Sequence, residues 1–347
     1  MDALPRYRTG DPDLDQAVVE LLTRAGFECD TDLLFELVVS ALRLGRDRAS
    51  RGDLKIANAA LKEMRYAFSV FGPYRAARKA SIFGSARTEP DSPLYDQARR
   101  LAAALAERGW MVVTGAGPGI MEAGIEGAGP ERSFGVSIRL PFEAVTSQFI
   151  ADDPKLINFR YFFTRKLSFV KESHGFGLLP GGFGTLDEAF ELLTLVQTGK
   201  SQPAPIVLLD VPEGTYWARW RDMVEQELEG GGYISPGDLG LVTITDDVEA
   251  AVAELDGFYA NYHSQRFVEG QLVIRLQRAP DEAKLAELNE RFADIVVRGR
   301  IEAIEPTPAE VADGDHLDLA RIAFRFDRHH WERLRRLIDA LNGRERP

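Results

Sequence analysis

Residues 175–188 read Gly-Phe-Gly-Leu-Leu-Pro-Gly-Gly-Phe-Gly-Thr-Leu-Asp-Glu, and this stretch decides the fold. The short apolar run at 175–179 predicts a buried β-strand. A glycine-rich turn at 180–185 follows, and a helical pattern extends over 186–198. A buried strand that leads through glycines directly into a helix is typical of α/β proteins with a parallel sheet.

The same order of strand, turn and helix recurs before this stretch. Apolar runs at 80–83 and 110–113 lead into Gly84-Ser85 and into a turn at 114–119. The remaining elements predicted in this part are helices at 95–108, 121–128, 158–172 and 216–228 and strands at 134–138 and 205–209. The alternation predicts a Rossmann-like α/β fold, a doubly wound parallel sheet covered on both faces. Ligands of such sheets bind beyond the carboxyl ends of the strands, where the glycine turns lie.

The pattern divides the chain into three parts. Residues 1–77 form a helical N-terminal segment, a packing or oligomerisation layer, because apolar residues recur at helical spacing until Gly72-Pro73 ends the last helix. Residues 78–262 form the Rossmann-like domain. Residues 263–347 form a small α+β C-terminal domain. Its predicted elements are strands at 272–276 and 318–324, helices at 281–292 and 331–341, and a loop at 305–316.

Composition and charge exclude several classes of protein. The 347 residues include 42 Lys or Arg and 54 Asp or Glu, and the formal net charge is −12. We expect neither nucleic acid nor a membrane surface as a partner, because both are polyanionic. No signal peptide is recognisable, and no run approaches the roughly 18 apolar residues of a membrane span. The single cysteine, Cys29, fits a reducing compartment, so the chain is predicted to be cytoplasmic.

No metal or cofactor site is predicted. One cysteine cannot form a multi-cysteine metal site, and His329 and His330 point about 100° apart on a helix. Gly115-x-Gly117 follows a strand as a dinucleotide-binding turn would, but Ile120 occupies the third glycine position. Gly199-Lys-Ser201 resembles the end of a P-loop, but it follows a helix rather than a strand.

The turn at 180–185 is suited to a phosphate group. Glycines let its backbone approach a ligand closely, and the start of the following helix offers unpaired amides and a partial positive charge. The turn at 114–119 can do the same from the neighbouring strand. A capping box formed by Thr185 and Glu188 would also explain the start of the helix, but capping does not require the preceding glycines.

A basic stretch precedes this turn. Residues 155–171 contain no acid and five basic residues, namely Lys155, Arg160, Arg165, Lys166 and Lys171. The default interpretation is a solvated helix face. However, Arg165 and Lys166 lie at helical spacing from phenylalanines, on an apolar face where an unpaired charge is very costly. The two cations therefore require an anion, which could be Glu188, another carboxylate or a bound phosphate.

Four motifs together resemble the LOG ("lonely guy") family, whose members were often labelled "possible lysine decarboxylase". The motifs are Gly84-Ser-Ala-Arg87, Gly117-Pro-Gly-Ile-Met-Glu122, Arg165-Lys166 and Pro180-Gly-Gly-Phe-Gly-Thr-Leu-Asp-Glu188. The resemblance covers about 78–262, and the flanking parts resemble those of longer bacterial members. Characterised members are cytokinin-activating nucleoside 5′-monophosphate phosphoribohydrolases.

This resemblance implies roles for individual residues. Arg165 and Glu188 would be the catalytic pair, and the glycine turn would hold the 5′-phosphate. The predicted substrate-binding residues are Gly181, Gly182, Gly184, Thr185, Lys166, Thr194, Glu143, Gly117, Gly119 and Ser85. The resemblance also implies a homo-oligomer, a dimer or larger.

The chemistry of glycosidic cleavage suits the implied pair. Breaking the N-glycosidic bond builds positive charge on the sugar, as in other glycoside hydrolyses, while the departing base gains negative charge. A carboxylate can stabilise the sugar cation and orient water, and a cation can stabilise the leaving base. The prediction is a hydrolase that converts a nucleoside 5′-monophosphate, such as AMP or a cytokinin riboside monophosphate, to free base and ribose 5-phosphate.

Two other functions are less well supported by the residues. Decarboxylation with pyridoxal phosphate needs a Schiff-base lysine, and no lysine is singled out for that role. A non-catalytic nucleotide or molybdenum-cofactor carrier or sensor remains the alternative, because the fold and the glycine turn also resemble molybdenum-cofactor carrier proteins. The complete pair of Arg165 and Glu188 favours the hydrolase.

Overall fold

The computed structural model describes residues 5–139 and 147–344. The chain divides into two compact units, Met1–Arg65 and Tyr66–Pro347. The first unit is helical, as predicted. It contains α1 (Pro12–Arg24), α2 (Thr31–Arg46) and most of α3 (Arg51–Phe71). The first two helices pack together through Val18, Leu22, Phe35 and Val39.

The second unit is built on a seven-stranded sheet. Its strands are β1 (Lys79–Phe83), β2 (Met111–Thr114), β3 (Ser133–Ile138), β4 (Leu156–Phe159), β5 (Gly175–Leu178), β6 (Ile206–Leu209) and β7 (Val242–Thr245). They are arranged in the order β4-β3-β2-β1-β5-β6-β7, and every neighbouring pair is parallel.

Helices cover both faces of this sheet. They are α4 (Pro93–Glu107), α5 (Ile120–Ala128), α6 (Phe162–Glu172), α7 (Phe183–Gln197), α8 (Tyr216–Met223) and α9 (Val248–Gly257), and a π-helical turn (Val224–Glu229) continues α8. Successive strand residues belong to different hydrophobic clusters. Ile82 belongs to the cluster that contains residues of α4, α5 and α9, and Phe83 to the cluster that contains residues of α6, α7 and α8. The strands are therefore buried on both sides, which confirms the predicted doubly wound sheet.

The strand order indicates where a ligand site is expected. The chain winds outward from β1 to β4 on one side and from β5 to β7 on the other, so the direction of winding changes between β1 and β5. In open parallel sheets, the crevice beyond the carboxyl ends of two such strands is the usual ligand site. The turns after β1 and β5 meet there.

A second sheet lies in the C-terminal part. It contains β8 (Tyr262–Val268), β9 (Gln271–Leu276), β10 (Val296–Ala303) and β11 (Ala320–Phe326), with α10 (Glu282–Arg291), α11 (Pro308–Asp313) and α12 (Trp331–Leu341). Its order is β10-β11-β9-β8 and its pairs are antiparallel. The small α+β prediction is confirmed. The predicted boundary between 262 and 263 falls within β8, and buried residues of this sheet share one hydrophobic cluster with α4 and α9.

Several local predictions were wrong. Residues 158–172, predicted as one helix, are the end of β4 followed by α6, because Leu156–Phe159 pairs with β3 at the sheet edge. The predicted loop at 305–316 contains α11, which a capping box of Thr307 and Glu310 stabilises. Strands β7, β8 and β10 and helix α9 were not predicted.

Candidate active site

Three loops meet at the crevice between β1 and β5. The backbone amide of Ser85, after β1, donates to the carbonyl oxygen of Pro180, after β5, at 3.2 Å. The amide of Ile120, at the start of α5, donates to the carbonyl oxygen of Ser85 at 3.1 Å. The loop after β1 therefore joins the two glycine-rich turns, and the structure brings Ser85, Gly119 and Gly181 together.

The glycine-rich turn ends in an uncapped helix. Helix α7 begins at Phe183, with Gly182 as its N-cap and no side chain bonded to its first amides. The first intrahelical bond at this end runs from the amide of Leu186 to the carbonyl oxygen of Gly182, which leaves the three preceding amides without an intrahelical acceptor. Because the helix begins two residues before Thr185, the capping box of Thr185 and Glu188 does not form.

The glycines of this turn serve two different purposes. A Cβ atom on Gly181 would lie 2.1 Å from Oγ1 of Thr185 and 3.0 Å from the amide nitrogen of Ser85. Only glycine therefore permits the loops to pack this closely. A Cβ on Gly182 or Gly184 would meet no atom within 4 Å. These two positions leave open space beside the unpaired amides, as a bound phosphate would require.

The second glycine turn is constrained in a similar way. Gly119 has φ +68°, a left-handed conformation, and a Cβ there would lie 2.4 Å from the carbonyl oxygen of Ser85. A Cβ on Gly117 would meet the flexible side chain of Met121 at 2.7 Å. Ala116 also has a positive φ, of 57°. Backbone conformations of this kind cluster at ligand-binding sites.

Arg165 reaches this second turn from α6. Its Nε donates to the carbonyl oxygen of Val136 at 2.8 Å, and its guanidinium carbon lies 5.2 Å from the centre of the Phe169 ring. Its Nη2 atom lies so near Gly115 that a Cβ there would be 2.5 Å away. Among the residues that the structure describes, no carboxylate lies within 4 Å of this cation. Burial lowers the pKa of Arg165, and the charge of Glu188 opposes this shift.

Glu188 lies in the second turn of α7 and is 7% exposed. Burial raises its pKa to about 7, against the lowering effects of Lys166 and Arg165 and with a contribution from Glu191 and Asp187. A buried carboxyl group with a pKa near neutrality, close to a half-buried arginine, is typical of functional sites.

Lys166 forms ion pairs with two carboxylates of the protein. Its Nζ lies 2.8 Å from a carboxylate oxygen of Asp187 and 2.8 Å from one of Glu191, both on α7. Burial alone would lower the pKa of Lys166, but its pairing with these two carboxylates raises the pKa above its usual value. The predicted need for an anion is therefore met by other carboxylates. Phe162 and Phe163 are more than half exposed, so the predicted apolar face of α6 is buried only in part.

One predicted residue, Thr194, is not brought to the turn, and another lies outside the described residues. Thr194 is exposed on α7, where its hydroxyl donates to the carbonyl oxygen of Phe190 at 2.7 Å. It lies nine residues beyond Thr185, about 13 Å along the helix at 1.5 Å per residue. Glu143 lies outside the described residues. Substrate binding by either residue stays a prediction.

Sequence analysis missed two residues that touch or support the turn. The hydroxyl of Tyr216, at the start of α8, donates to the carbonyl oxygen of Gly181 at 2.7 Å. Asp210, 5% exposed at the end of β6, accepts the amide of Tyr216 at 3.0 Å. Asp210 could have been identified from the sequence, because it is a polar residue directly after a buried parallel strand. The sequence contained no comparable signal for Tyr216.

The arrangement combines a glycine-rich turn, whose helix start has unpaired amides, with a carboxyl group and a guanidinium. Such a site can hold a phosphorylated ligand and can stabilise opposite charges that develop at the two ends of a breaking bond. Within the described ranges, no group of three or more His, Cys, Asp or Glu side chains is placed to hold a metal ion. None of the helices in these ranges has the length and apolar character needed to cross a membrane.

Comparison with known proteins places this chain in a family. The family model described as "Possible lysine decarboxylase" matches residues 111–255, which include Arg165, Glu188 and both glycine-rich turns. A cytokinin riboside 5′-monophosphate phosphoribohydrolase from Mycobacterium tuberculosis is 30% identical over 164 residues, 46% of this chain and 83% of that protein. One from Arabidopsis thaliana is 33% identical over 94 residues, 27% of this chain and 42% of that protein.

Solved structures with a similar arrangement are more distant. The molybdenum cofactor carrier protein from Chlamydomonas reinhardtii is 22% identical with a TM-score of 0.36, over 52% of this chain and 96% of that chain. The DNA processing protein A from Helicobacter pylori is 14% identical with a TM-score of 0.35, over 50% of this chain and 78% of that chain.

Proposed function

Because the chain belongs to the LOG family, which includes the cytokinin riboside 5′-monophosphate phosphoribohydrolases, we propose that it hydrolyses the N-glycosidic bond of nucleoside 5′-monophosphates. The substrates are AMP or cytokinin riboside monophosphates. The products are the free base and ribose 5-phosphate. Two things support this function: the activity in the relatives' names and the geometry of this chain's own site.

The observation that carries the proposal is that Glu188 follows the uncapped start of α7, while Arg165 lies against the neighbouring glycine turn at Gly115 and interacts electrostatically with Glu188. The open space at Gly182 and Gly184 lies next to the unpaired amides, so a 5′-phosphate fits there. The ribose of a nucleotide held in this way extends toward the two side chains. The terminal guanidinium groups of Arg165 have no carboxylate partner among the described residues and are available to the substrate.

The reaction divides charge between these two groups. Water adds its oxygen to C1′ of the ribose while the bond from C1′ to the base nitrogen breaks and its electron pair leaves with the base. The sugar becomes positively charged in the transition state, and the ionised Glu188 stabilises it and orients the water. Arg165 stabilises the negative charge on the leaving base. One proton of the water is transferred to the base, and the other stays on the oxygen as the hydrogen of the new 1′-hydroxyl group.

Chromatography of the products tests the proposal. Purified protein incubated with AMP, or with a cytokinin riboside monophosphate, is expected to release base and ribose 5-phosphate in equal amounts. Glu188→Gln is expected to lower the rate by about 100-fold or more, a typical effect of losing a catalytic acid or base. Intact monophosphates after prolonged incubation would contradict the proposal, and an intact nucleotide that stays bound through purification would favour the carrier alternative.

We also propose that the chain forms a homo-oligomer. Large apolar side chains are exposed close to the site: Phe183 is 95% exposed on α7, and Phe162 and Phe163 are 54% and 55% exposed on α6. Exposed apolar groups of this size are typical of association surfaces. Light scattering is expected to give a multiple of 38.6 kDa, and a strict monomer at micromolar concentration would contradict the proposal.

A further inference from the structure

We propose that Tyr216 is a positioning residue that orients the phosphate-binding turn through the carbonyl group of Gly181. This inference rests on the proposed function and extends it to a residue outside the motifs. Tyr216 belongs to α8, 31 positions after the end of the turn, and only the fold brings its hydroxyl to 2.7 Å from the oxygen of Gly181.

The direction of the carbonyl groups in the turn decides whether a phosphate can bind. A carbonyl oxygen that faced the ligand would repel its negative charge, whereas an amide that faces it donates a hydrogen bond. The carbonyl oxygen of Pro180 is held by the amide of Ser85 at 3.2 Å. The carbonyl oxygen of Gly181 is held by Tyr216, and that of Gly182 accepts the first bond of α7. All three acceptors are therefore engaged within the protein.

Gly181 depends on a side chain for this contact, unlike the residues on either side of it. The carbonyl oxygens of Pro180 and Gly182 accept hydrogen bonds from backbone amides. Only a substitution to proline removes a backbone amide. Loss of the Tyr216 hydroxyl would free the peptide between Gly181 and Gly182 to rotate. Rotation would turn the carbonyl oxygen of Gly181 toward the phosphate.

Asp210 fixes the position of Tyr216. Its Oδ2 accepts the amides of Tyr216 and Trp217 at 3.0 and 3.4 Å, and its Oδ1 accepts the amide of Val211 at 2.9 Å. A Cβ on Gly214 would lie 2.2 Å from this carboxylate, so the loop closes tightly around it. The Tyr216 ring also packs edge-on against Trp217, with centroids 4.9 Å apart. The hydroxyl is therefore held in place before any ligand binds.

The variant Tyr216→Phe isolates the hydroxyl because it keeps the ring and its packing. Ribose 5-phosphate, titrated by calorimetry, is the probe of the turn. We expect its Kd to rise about 3- to 10-fold, as the loss of one hydrogen bond implies. In turnover of AMP, KM is expected to rise by the same factor while kcat changes less than about twofold. Binding of free adenine, which lacks a phosphate, is expected to stay unchanged.

Two further variants complete the experiment. Tyr233→Phe removes the hydroxyl of a tyrosine that is 82% exposed and is expected to leave both constants unchanged. Asp210→Asn weakens the acceptor that holds Tyr216 and is expected to raise the Kd in the same direction, which keeps the inference testable if Tyr216→Phe does not fold.

The outcomes separate this inference from the proposed function. Equal affinity of the wild type and Tyr216→Phe for ribose 5-phosphate would overturn the positioning role and leave the hydrolase intact. A parallel loss of affinity for adenine and ribose 5-phosphate would indicate a merely structural role and would also overturn it. Failure of the wild type to bind ribose 5-phosphate at all would overturn both proposals.

Discussion

At the scale of single residues, the proposed chemistry depends on which charges pair with one another around Glu188 and Arg165. Neighbouring Lys166 is neutralised by Asp187 and Glu191, so it does not form an ion pair with Glu188. Arg165 binds a backbone carbonyl through Nε and keeps its terminal groups free of carboxylates in the described part of the chain. Burial then raises the pKa of Glu188 to about 7. A carboxyl group near this pKa can change its protonation state during turnover.

The proposed role of the ionised Glu188 predicts a pH profile. The value of kcat/KM for AMP is expected to rise about tenfold per pH unit well below pH 7 and to level off above pH 8, because only the deprotonated carboxylate stabilises the sugar cation. The pH profile is obtained from steady-state rates measured between pH 5 and 9.

The substrate's own phosphate, with a second pKa of about 6, also titrates in this range. Binding of ribose 5-phosphate to Glu188→Gln isolates that contribution, because this variant has no carboxyl group at position 188. A profile that is flat or falls between pH 6 and 8, after this correction, would contradict the role of the carboxylate.

Residue roles could be predicted from the sequence only where a motif carried them. Arg165 and Glu188 were identified through the resemblance; the structure places Arg165 against the turn at 114–119 and Glu188 on the helix that follows the turn at 180–185. The partners of Lys166 and the contact of Tyr216 were missed, because both depend on which helices become neighbours. A hydrogen bond between residues 181 and 216 leaves no pattern in a single sequence.

At the scale of elements, the glycine-rich turn and α7 together form the proposed phosphate-binding site. The turn packs against the loop after β1 through Gly181, and it leaves open space at Gly182 and Gly184. Packing and binding therefore depend on different glycines, and substitutions can separate the two functions.

The variant Gly184→Ala should separate stability from binding. A methyl group in the first turn of α7 meets no protein atom and favours the helix, so the free energy of unfolding should stay unchanged or rise by up to about 1 kcal/mol. The same methyl group occupies the space proposed for the phosphate, so KM for AMP should rise at least about tenfold. Denaturant unfolding and steady-state kinetics measure the two effects.

A matched control is Gly45→Ala, because Gly45 lies in α2 and a methyl group at this position would also meet no atom within 4 Å. It is expected to change stability by a similar amount and to leave KM unchanged. An unchanged KM in Gly184→Ala would mean that the phosphate does not bind at this turn.

Predictions of elements succeeded where patterns were long or marked by glycine. The apolar strands at the centre of the sheet and their glycine turns were identified, and α12 was predicted at residues 331–341 as observed. Strand β4 was merged into a helix because it has only four residues at the sheet edge, with alternating burial. Its pairing with β3 determines its conformation, and local sequence does not report that pairing.

At the scale of the whole molecule, the C-terminal sheet shares its core with the sheet that carries the site. One hydrophobic cluster contains Leu101 of α4, Leu255 of α9, Ile274 of β9 and Leu337 of α12. A second feature of this region is a buried ionic group: Glu310 is fully buried and accepts Nε of Arg275 at 2.8 Å and Nε of Arg321 at 3.2 Å. A substitution that destabilises the C-terminal part should therefore also destabilise the parallel sheet.

Removal of the Glu310 carboxylate tests this coupling. Glu310→Ala leaves two buried guanidinium groups without their shared anion and should lower the free energy of unfolding by about 3–5 kcal/mol. Because the core is shared, circular dichroism and tryptophan fluorescence should report one common transition for residues 66–347.

Glu302→Ala is the control for this variant, because Glu302 forms an exposed ion pair with Arg300 at 2.8 Å and such pairs contribute about 1 kcal/mol or less. Separate transitions for the two probes in Glu310→Ala would show that the sheets unfold independently.

A crystal structure of Glu188→Gln with AMP tests the central claim most directly. The account predicts the 5′-phosphate within hydrogen-bond distance of the amides of Phe183, Gly184 and Thr185, with the ribose between residue 188 and the guanidinium of Arg165. A phosphate bound elsewhere, or a turn that stays empty at saturating AMP, would contradict it.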